Sequence, residues 1–453
     1  MLSRLPLPGG ADALVSALDI EPVTAVRLNS AKCSDLPSGC GDSHPVKWCE
    51  RGYVLESRPR FASMPQWHSG AFYVQEPASM ALWTVAAGIA RLLDMDGLRW
   101  LDLCAAPGGK TTAVLDALPA DAFVVANEFD GRRASILAEN LARWGAPNSA
   151  VTRGDTRWVR KMRDAFHVVS VDAPCSGEGM MRKEETARSQ WSSGLVKQCA
   201  ALQREILANA WEALAPGGFL VYSTCTFNLE EDENNVAWLM SEYGAECVAP
   251  DAFMQMPECV GSLVDDVKAL RFMPHVTEGE GLFLAVVRKP GDISDVKQFK
   301  AAKQKGKISK SFGCEGWLAE PSRFVFASHD DSISAVPAMH SQFVDSVRRA
   351  NSGLLSAGVS VGVVKGRDII PSAELALSTA LSQESFPRVE LTLDEALDYL
   401  RRGTDGLMSA IARCGAVKHG YVLAEYFGLP LGFAKYLGNR ANNLYPSNWR
   451  LRN

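Results

Sequence analysis

The chain has 453 residues, 47% hydrophobic and 22% charged, with 47 Lys and Arg against 52 Asp and Glu for a net charge of −5. That length exceeds one compact core and predicts two or three domains. The acidic balance excludes a nucleic-acid binder that works through overall charge, so any RNA surface must be local.

No apolar run approaches the roughly 20 residues of a membrane span. The start, MLSRLPLPGG, lacks the layout of a signal peptide. A cytoplasmic protein with no membrane contact is expected. The 11 cysteines are odd in number and lack the short-range spacing of a secreted disulfide scaffold, which predicts reduced thiols.

Residues 1 to 90 read as a small N-terminal α/β module that binds RNA. Within it Cys33, Cys40, His44 and Cys49 lie close together but lack the C-x-x-C knuckles of structural zinc sites, so no metal is assigned and the segment reads as an irregular surface insertion. From residue 91 to 290 four apolar runs end in small or acidic residues: Leu98 to Cys104, Ala122 to Glu128, Phe166 to Pro174 and Gly218 to Cys225. Alternating with helical patterns, they predict a doubly wound α/β domain whose parallel strands are buried on both faces. Residues 132 to 145 set Ile136, Leu137, Leu141 and Trp144 on one helical face and stop at Gly145. After the last strand, Asn228 followed by Glu231 reads as a helix cap, with Leu229, Val236, Leu239 and Met240 beyond it.

A Lys-rich stretch, 291 to 312, with Lys297, Lys300, Lys303, Lys305, Lys307 and Lys310, reads as a linker. From 313 to 453 the composition is globular again. Its aromatics, Trp317, Tyr421, Tyr426, Phe427, Tyr436, Tyr445 and Trp449, are expected mostly in the core, with any exposed ones free to stack on bases.

The chemistry-bearing residues fall at the strand ends. W-L-D-L-C-A-A-P-G-G-K-T, 100 to 111, runs a buried strand into glycines and a helix, where α/β folds bind ligands. Its spacing fits neither a GxxxxGK[ST] phosphate loop nor a GxGxxG dinucleotide loop. Glu128 ends the next strand, where an acid accepts ribose hydroxyls, and Asp155 follows the run Ala150 to Thr152, within reach of an adenine edge. V-D-A-P-C-S-G-E-G and Y-S-T-C-T-F-N then bring Cys175 and Cys225 to the same sheet edge.

Two thiols suit cytosine, whose carbon 5 is too weak a nucleophile to be methylated directly. A thiolate that adds to carbon 6 activates carbon 5, and a second group must help release the product. Asp172 is placed to hydrogen-bond or protonate the N3 edge. Residue chemistry leaves the choice between Cys175 and Cys225 open. Cys104, Cys199, Cys247, Cys259, Cys314 and Cys414 read as small inert hydrophobes. His275 reads as a satisfied histidine, and Arg182 and Lys183 as contacts to an RNA backbone.

Residues 20 to 290 resemble the Sun-type RNA cytosine-5 methyltransferases. The matching pieces are R-L-N-S at 27 to 30, Y-V-Q-E-P-A-S-M at 73 to 80, D-L-C-A-A-P-G-G-K-T, D-A-P-C-S-G-E-G, S-T-C-T, R-F-M-P-H, and G-E-G-L-F ending at 283. The resemblance implies a Rossmann-like class I methyltransferase fold. It implies that Cys104, Ala105, Ala106, Pro107, Gly108, Gly109, Lys110, Glu128, Asp155 and Asp172 hold S-adenosylmethionine, with Cys225 as nucleophile and Cys175 assisting product release. G-V-V-K-G-R-D at 362 to 368, P-S-A-E-L-A-L at 371 to 377 and N-N-L-Y-P-S-N-W-R at 442 to 450 are similar to the 16S rRNA methyltransferase F (RsmF) group. That similarity implies a C-terminal PUA-like α+β RNA-binding region and 16S rRNA or the 30S subunit as partner, with no obligate protein partner. The rival readings are a tRNA cytosine-5 methyltransferase and a catalytically silent ribosome-assembly factor.

Overall fold

A computed structural model describes residues 9–256, 258–299 and 311–452. Of the Lys-rich run, all but Lys297 lie outside the described residues. Among the described residues no helix is long and apolar enough to cross a membrane.

The first sheet is antiparallel, built from β1 (Thr24–Leu28), β2 (Ser43–Pro45), β3 (Gly52–Leu55) and β4 (Phe72–Val74) in the order β2-β3-β1-β4. The insertion expected to be an irregular surface feature supplies edge strand β2 and two core thiols. Cys40 and Cys49 are each 1% exposed, in separate apolar clusters, while exposed His44 meets Glu278 at 2.9 Å. The module's expected end at residue 90 falls inside the helix Ala81–Leu93.

The central sheet has a parallel core: β5 (Arg99–Asp102), β6 (Phe123–Glu128), β7 (Ser149–Arg153), β8 (Phe166–Asp172) and β9 (Leu214–Thr224), in spatial order β9-β8-β5-β6-β7. The winding direction reverses beside β5, which puts the switch-point crevice beyond the carboxyl ends of β5 and β8. Successive residues face opposite sides, as strand geometry requires. Trp100, Val124 and Val168 join one core, and Leu101, Val125 and Val169 the other. Four antiparallel strands extend the sheet past β9: β10 (Glu246–Val248), β11 (Val260–Gly261), β12 (Ala269–Phe272) and β13 (Leu282–Arg288), with β13 paired to β9.

The crossover helix Gly131–Trp144 is capped by Asp130, whose side chain accepts from Arg133 N, and ends at Gly145 with φ 82°. It buries Ala134, Leu137, Leu141 and Trp144, whereas Ile136, expected on that face, is 43% exposed. Neighbouring helix positions differ by about 100°, so Leu137 and Ile136 cannot share the buried stripe. Asn228 and Glu231 do hydrogen-bond reciprocally, but in a turn ahead of the helix, which runs Glu233–Tyr243.

The C-terminal region holds two further four-stranded sheets. The first is β14 (Phe324–His329), β15 (Ser332–Pro337), β17 (Val359–Lys365) and β18 (Asp368–Pro371); β16 (Leu354–Ala357) leaves it to pair with β7 of the central sheet. The second comprises β19 (Arg388–Glu390), β20 (Gly420–Tyr426), β21 (Leu429–Tyr436) and β22 (Ala441–Asn443). Tyr445 and Trp449 lie in its core, while Phe427 stands 74% exposed at the β20–β21 turn.

Candidate active site

The loop 104–110 leaves β5 at the switch point. Ala105 N donates to Asn127 O at 2.9 Å, and Pro107 O accepts from Asn140 Nδ2 at 2.8 Å and from Tyr73 Oη at 3.2 Å. Gly108 adopts φ 110°, and a side chain there would press on Leu137 and Leu141 methyls at 3.1 and 3.2 Å, so both conformation and space demand glycine. Lys110 lies one turn on and meets Asp172 Oδ2 at 2.8 Å, while Asp172 Oδ1 accepts from Ser223 Oγ at 2.9 Å. Burial pulls the Lys110 ammonium down, but the Asp172 carboxylate outweighs it and the net shift is upward, so Lys110 stays charged.

Cys175 follows β8 and Cys225 follows β9, and their sulfurs stand 3.1 Å apart as free thiols. The hydrogen bond with Cys225 and burial hold the Cys175 thiol well above its ordinary value, so Cys175 keeps its proton. Two buried carboxylates brace the loops. Glu178 accepts from Thr226 Oγ1 and Phe227 N, both at 2.7 Å, and from Trp191 Nε1 at 2.9 Å. Glu231 accepts from Ser176 N at 3.0 Å, Gln203 Nε2 at 2.7 Å and Asn228 Nδ2 at 2.8 Å. Gly179 N donates to Cys225 O at 2.8 Å, a direct backbone tie between the two thiol loops.

Several expected site residues stand differently. Asp155 sits at the β7 end, but both its oxygens are taken by Arg157, at 2.8 and 3.0 Å, which holds its carboxyl below the usual range. Arg182 contacts no open surface suited to phosphate: it donates to Ile20 O, Glu21 O and Gly279 O, clamping the N-terminal segment to the loop before β13. Lys183 faces Glu280 at 3.6 Å. His275 is half-buried in the turn after β12. Cys414 is exposed at a helix end and packs in no core. Among the described residues no group of three or more His, Cys, Asp or Glu is placed to hold a metal ion.

A family model described as 16S rRNA methyltransferase RsmB/F matches residues 90–288, an N-terminal domain of 16S rRNA methyltransferase RsmF matches 4–77, and a methyltransferase RsmF PUA domain matches 386–451. Ribosomal RNA small subunit methyltransferase F of Klebsiella pneumoniae is 32% identical over 98% of this chain and 94% of its own length. The chain belongs to the RsmF family of methyltransferases. The protein of that name from Escherichia coli is 32% identical over 89% of this chain and 84% of its own. Among solved structures, a methyltransferase homologue from Pyrococcus horikoshii aligns with TM-score 0.53 and 27% identity over 61% of this chain and 90% of that one. NSun6 from the same organism, solved with SFG, shares the fold at TM-score 0.50 and 21% identity over 62% of this chain and 94% of that one.

The cofactor of this family is S-adenosylmethionine, and the crevice fits it. Glu128, 4% exposed, has its Oε1 taken by Asp130 N, while Oε2 is buried without a hydrogen-bond partner, Arg133 standing 3.4 Å away. Such an orphan acceptor at a strand end is what a ribose hydroxyl would satisfy.

The family motifs outside the loop serve as its scaffold. Arg27, fully buried, donates to Gln75 Oε1 at 2.9 Å and Thr112 Oγ1 at 2.6 Å, and lies 4.6 Å over the Trp144 ring. Asn29 bridges Gly70 O and Trp144 O. These contacts pin both helices that flank the loop. Arg271 donates to Phe227 O and pairs with Asp232 and Glu233 beneath Cys225's loop. The bracing roles of Glu178 and Glu231 were missed from sequence. For Glu178 the available signal was an acidic residue set among glycines, a cysteine and methionines, where a surface charge is out of place; Glu231 sits in an acidic run and carries no such signal.

Proposed function

We propose that this protein methylates carbon 5 of cytosine in 16S rRNA, with Cys225 as nucleophile. The reading is carried by one observation: two thiols from loops 50 residues apart meet at 3.1 Å, at the sheet edge that holds the cofactor loop and the Lys110–Asp172 pair.

Residues 104–110, with Glu128 toward the ribose and Asp155 toward the adenine, would hold S-adenosylmethionine, which would supply an electrophilic sulfonium methyl and leave as S-adenosylhomocysteine. Cys225 Sγ forms a bond to cytosine carbon 6 as thiolate, and the ring electrons move to carbon 5, which takes the methyl. Loss of the carbon 5 proton to water restores the double bond and expels Cys225. Cys175, the thiol that keeps its proton, returns one to Cys225 Sγ as it leaves. Asp172 accepts from the N4 amino group while Lys110 donates toward N3, drawing charge from the ring during addition. The N-terminal module, residues 1–90, and the region 313–453 hold the RNA, with Phe427 a surface on which a base stacks. The substrate is taken up as 16S rRNA or the 30S subunit in the cytoplasm.

Wild type, Cys225→Ala and Cys175→Ala incubated with methyl-labelled cofactor and 30S subunits, 16S rRNA or tRNA test this reading. Label in 16S rRNA as 5-methylcytosine, none with Cys225→Ala, and a protein–RNA adduct accumulating with Cys175→Ala are expected. Label in tRNA alone would replace the substrate. Cofactor binding with no label in any RNA would mark a silent assembly factor, and activity surviving Cys225→Ala would reassign the nucleophile.

A further inference from the structure

The far end of the cofactor crevice is not built by the catalytic region alone. A cleft of about 420 Å³ opens at the β6 and β7 ends, walled by Phe129, Asp130 and Asp155 on one side and by Asn351, Ser352 and Gly353 on the other. The second wall belongs to the C-terminal region. It is held there by β16, in which Leu354 pairs with Thr152 and Ala357 with Ala150, and by Arg153 N donating to Gly353 O at 2.8 Å. The helix before it, Ser341–Ala350, buries Phe343, Val344 and Val347 in one cluster with Trp158, Val159 and Met162. Packing therefore places this wall as firmly as the sheet it lines.

Asn351 is 8% exposed, and its Oδ1 accepts from Gly353 N at 2.8 Å. That contact orients the amide, because the flipped form would set two donors against each other. Nδ2 is then a buried donor with no hydrogen-bond partner. It lies 2.9 Å from where a methyl group on Gly154 would stand, and Gly154 lines the same cleft. Phe129, 69% exposed, offers an aromatic face across the same cleft. A buried donor without an acceptor, an open aromatic face and a carboxylate are the elements that recognise a purine base.

We propose that Asn351 is a cofactor-binding residue: its Nδ2–H donates to a ring nitrogen of the adenine of S-adenosylmethionine, with Phe129 against the base. The inference rests on the reading that places the adenosine between Glu128 and Asp155. It makes the C-terminal region part of the cofactor site, so that the region assigned to RNA and the cofactor share one rigid wall.

The test is calorimetric titration of the full chain with S-adenosylhomocysteine and with its 1-deaza, 3-deaza and 7-deaza adenine analogues. Asn351→Asp keeps the acceptor for Gly353 N and removes the donor; Asn351→Leu removes both; Glu128→Gln reports the ribose contact. Each Asn351 variant is expected to bind S-adenosylhomocysteine about 10-fold more weakly, the loss of one ligand hydrogen bond. One deaza analogue should bind wild type and both variants equally, because its missing nitrogen is the partner of Nδ2. Unchanged affinity in both Asn351 variants beside a weakened Glu128→Gln overturns the proposal and leaves the placement of the adenosine standing. Unchanged affinity in all three overturns both. A loss in the Asn351 variants that is the same for every analogue makes Asn351 a packing residue and also overturns it.

Discussion

The two ends of the catalytic sheet are finished to different degrees. At the thiol end, Glu178 and Glu231 each accept three hydrogen bonds, two from the thiol loops and one from Trp191 or Gln203 on the adjoining helical segments, and Arg271, 1% exposed on its side chain, sits between two carboxylates. At the other end, where the adenosine is proposed to lie, Glu128 Oε2 is buried with no hydrogen bond and Arg133 at 3.4 Å, Asn351 Nδ2 is a buried donor without a hydrogen-bond partner, and Phe129 is mostly exposed. The thiol end also keeps buried oxygens without hydrogen bonds, Asp232 Oδ2 and both of Glu280, but each of these carboxylates faces a cation of the protein, Arg271 at 3.1 Å and Lys183 at 3.6 Å, whereas Asn351 Nδ2 has no hydrogen-bond partner. The difference follows from what each must do. On the proposed function, bond formation at a ring carbon depends on reacting atoms held in place beforehand, whereas a cofactor must enter, be recognised and leave.

If the thiol end is locked, breaking its ion cluster should cost the most. Arg271→Met strands Glu233 and Asp232 in the core, and urea unfolding should show a loss of about 3–5 kcal/mol. Glu178→Ala leaves the Thr226 hydroxyl and the Phe227 amide unanswered. Single-turnover methylation should fall about 100-fold as the thiols lose their mutual geometry, while affinity for S-adenosylhomocysteine stays within about 2-fold; a parallel loss of cofactor affinity would blur the division between the two ends. At the adenine end the effects should be smaller and confined to binding. Glu128→Gln is expected to weaken the cofactor about 10-fold and Asp155→Asn about 2-fold, because Asp155 is already engaged by Arg157 and half exposed.

A further effect concerns the flanks. His68 Nε2–H donates to Ala62 O and Nδ1 accepts from Tyr445 Oη, tying the N-terminal module to the last sheet. Burial lowers its pKa from 6.5 to about 4. The unfolded chain therefore takes up the proton first: the full contribution is present above pH 6.5 and is lost as pH falls toward 4, at about 1.4 kcal/mol per pH unit. His167, lowered to about 3 by burial and Arg99, adds the same sign. Urea midpoints at pH 7.5 and 5.5 should thus converge partly, not wholly, in His68→Gln.

The parallel strands were legible because burial on both faces leaves continuous apolar runs, and the Gly145 stop because a left-handed cap needs glycine. Strand β12 entered only through a motif that resembles the family, since four residues carry no run long enough to stand out, whereas β13 has a seven-residue span as long as β8 and was open to the same reading. Arg182 misled because a charged side chain beside a cysteine loop looks available, and only the structure shows three of its N–H groups engaged by backbone carbonyls.

The amino-acid sequence by itself determined the doubly wound class of the central sheet and the glycine loop, because periodicity and turn residues are local signals. Tertiary structure alone decided that Cys175 meets Cys225 at 3.1 Å, that Lys110 engages Asp172, and that β16 returns to close the β7 edge. Those contacts join segments separated by 50 residues, 62 residues and some 200 residues. No local pattern encodes such distances; packing of the shared cores selects them.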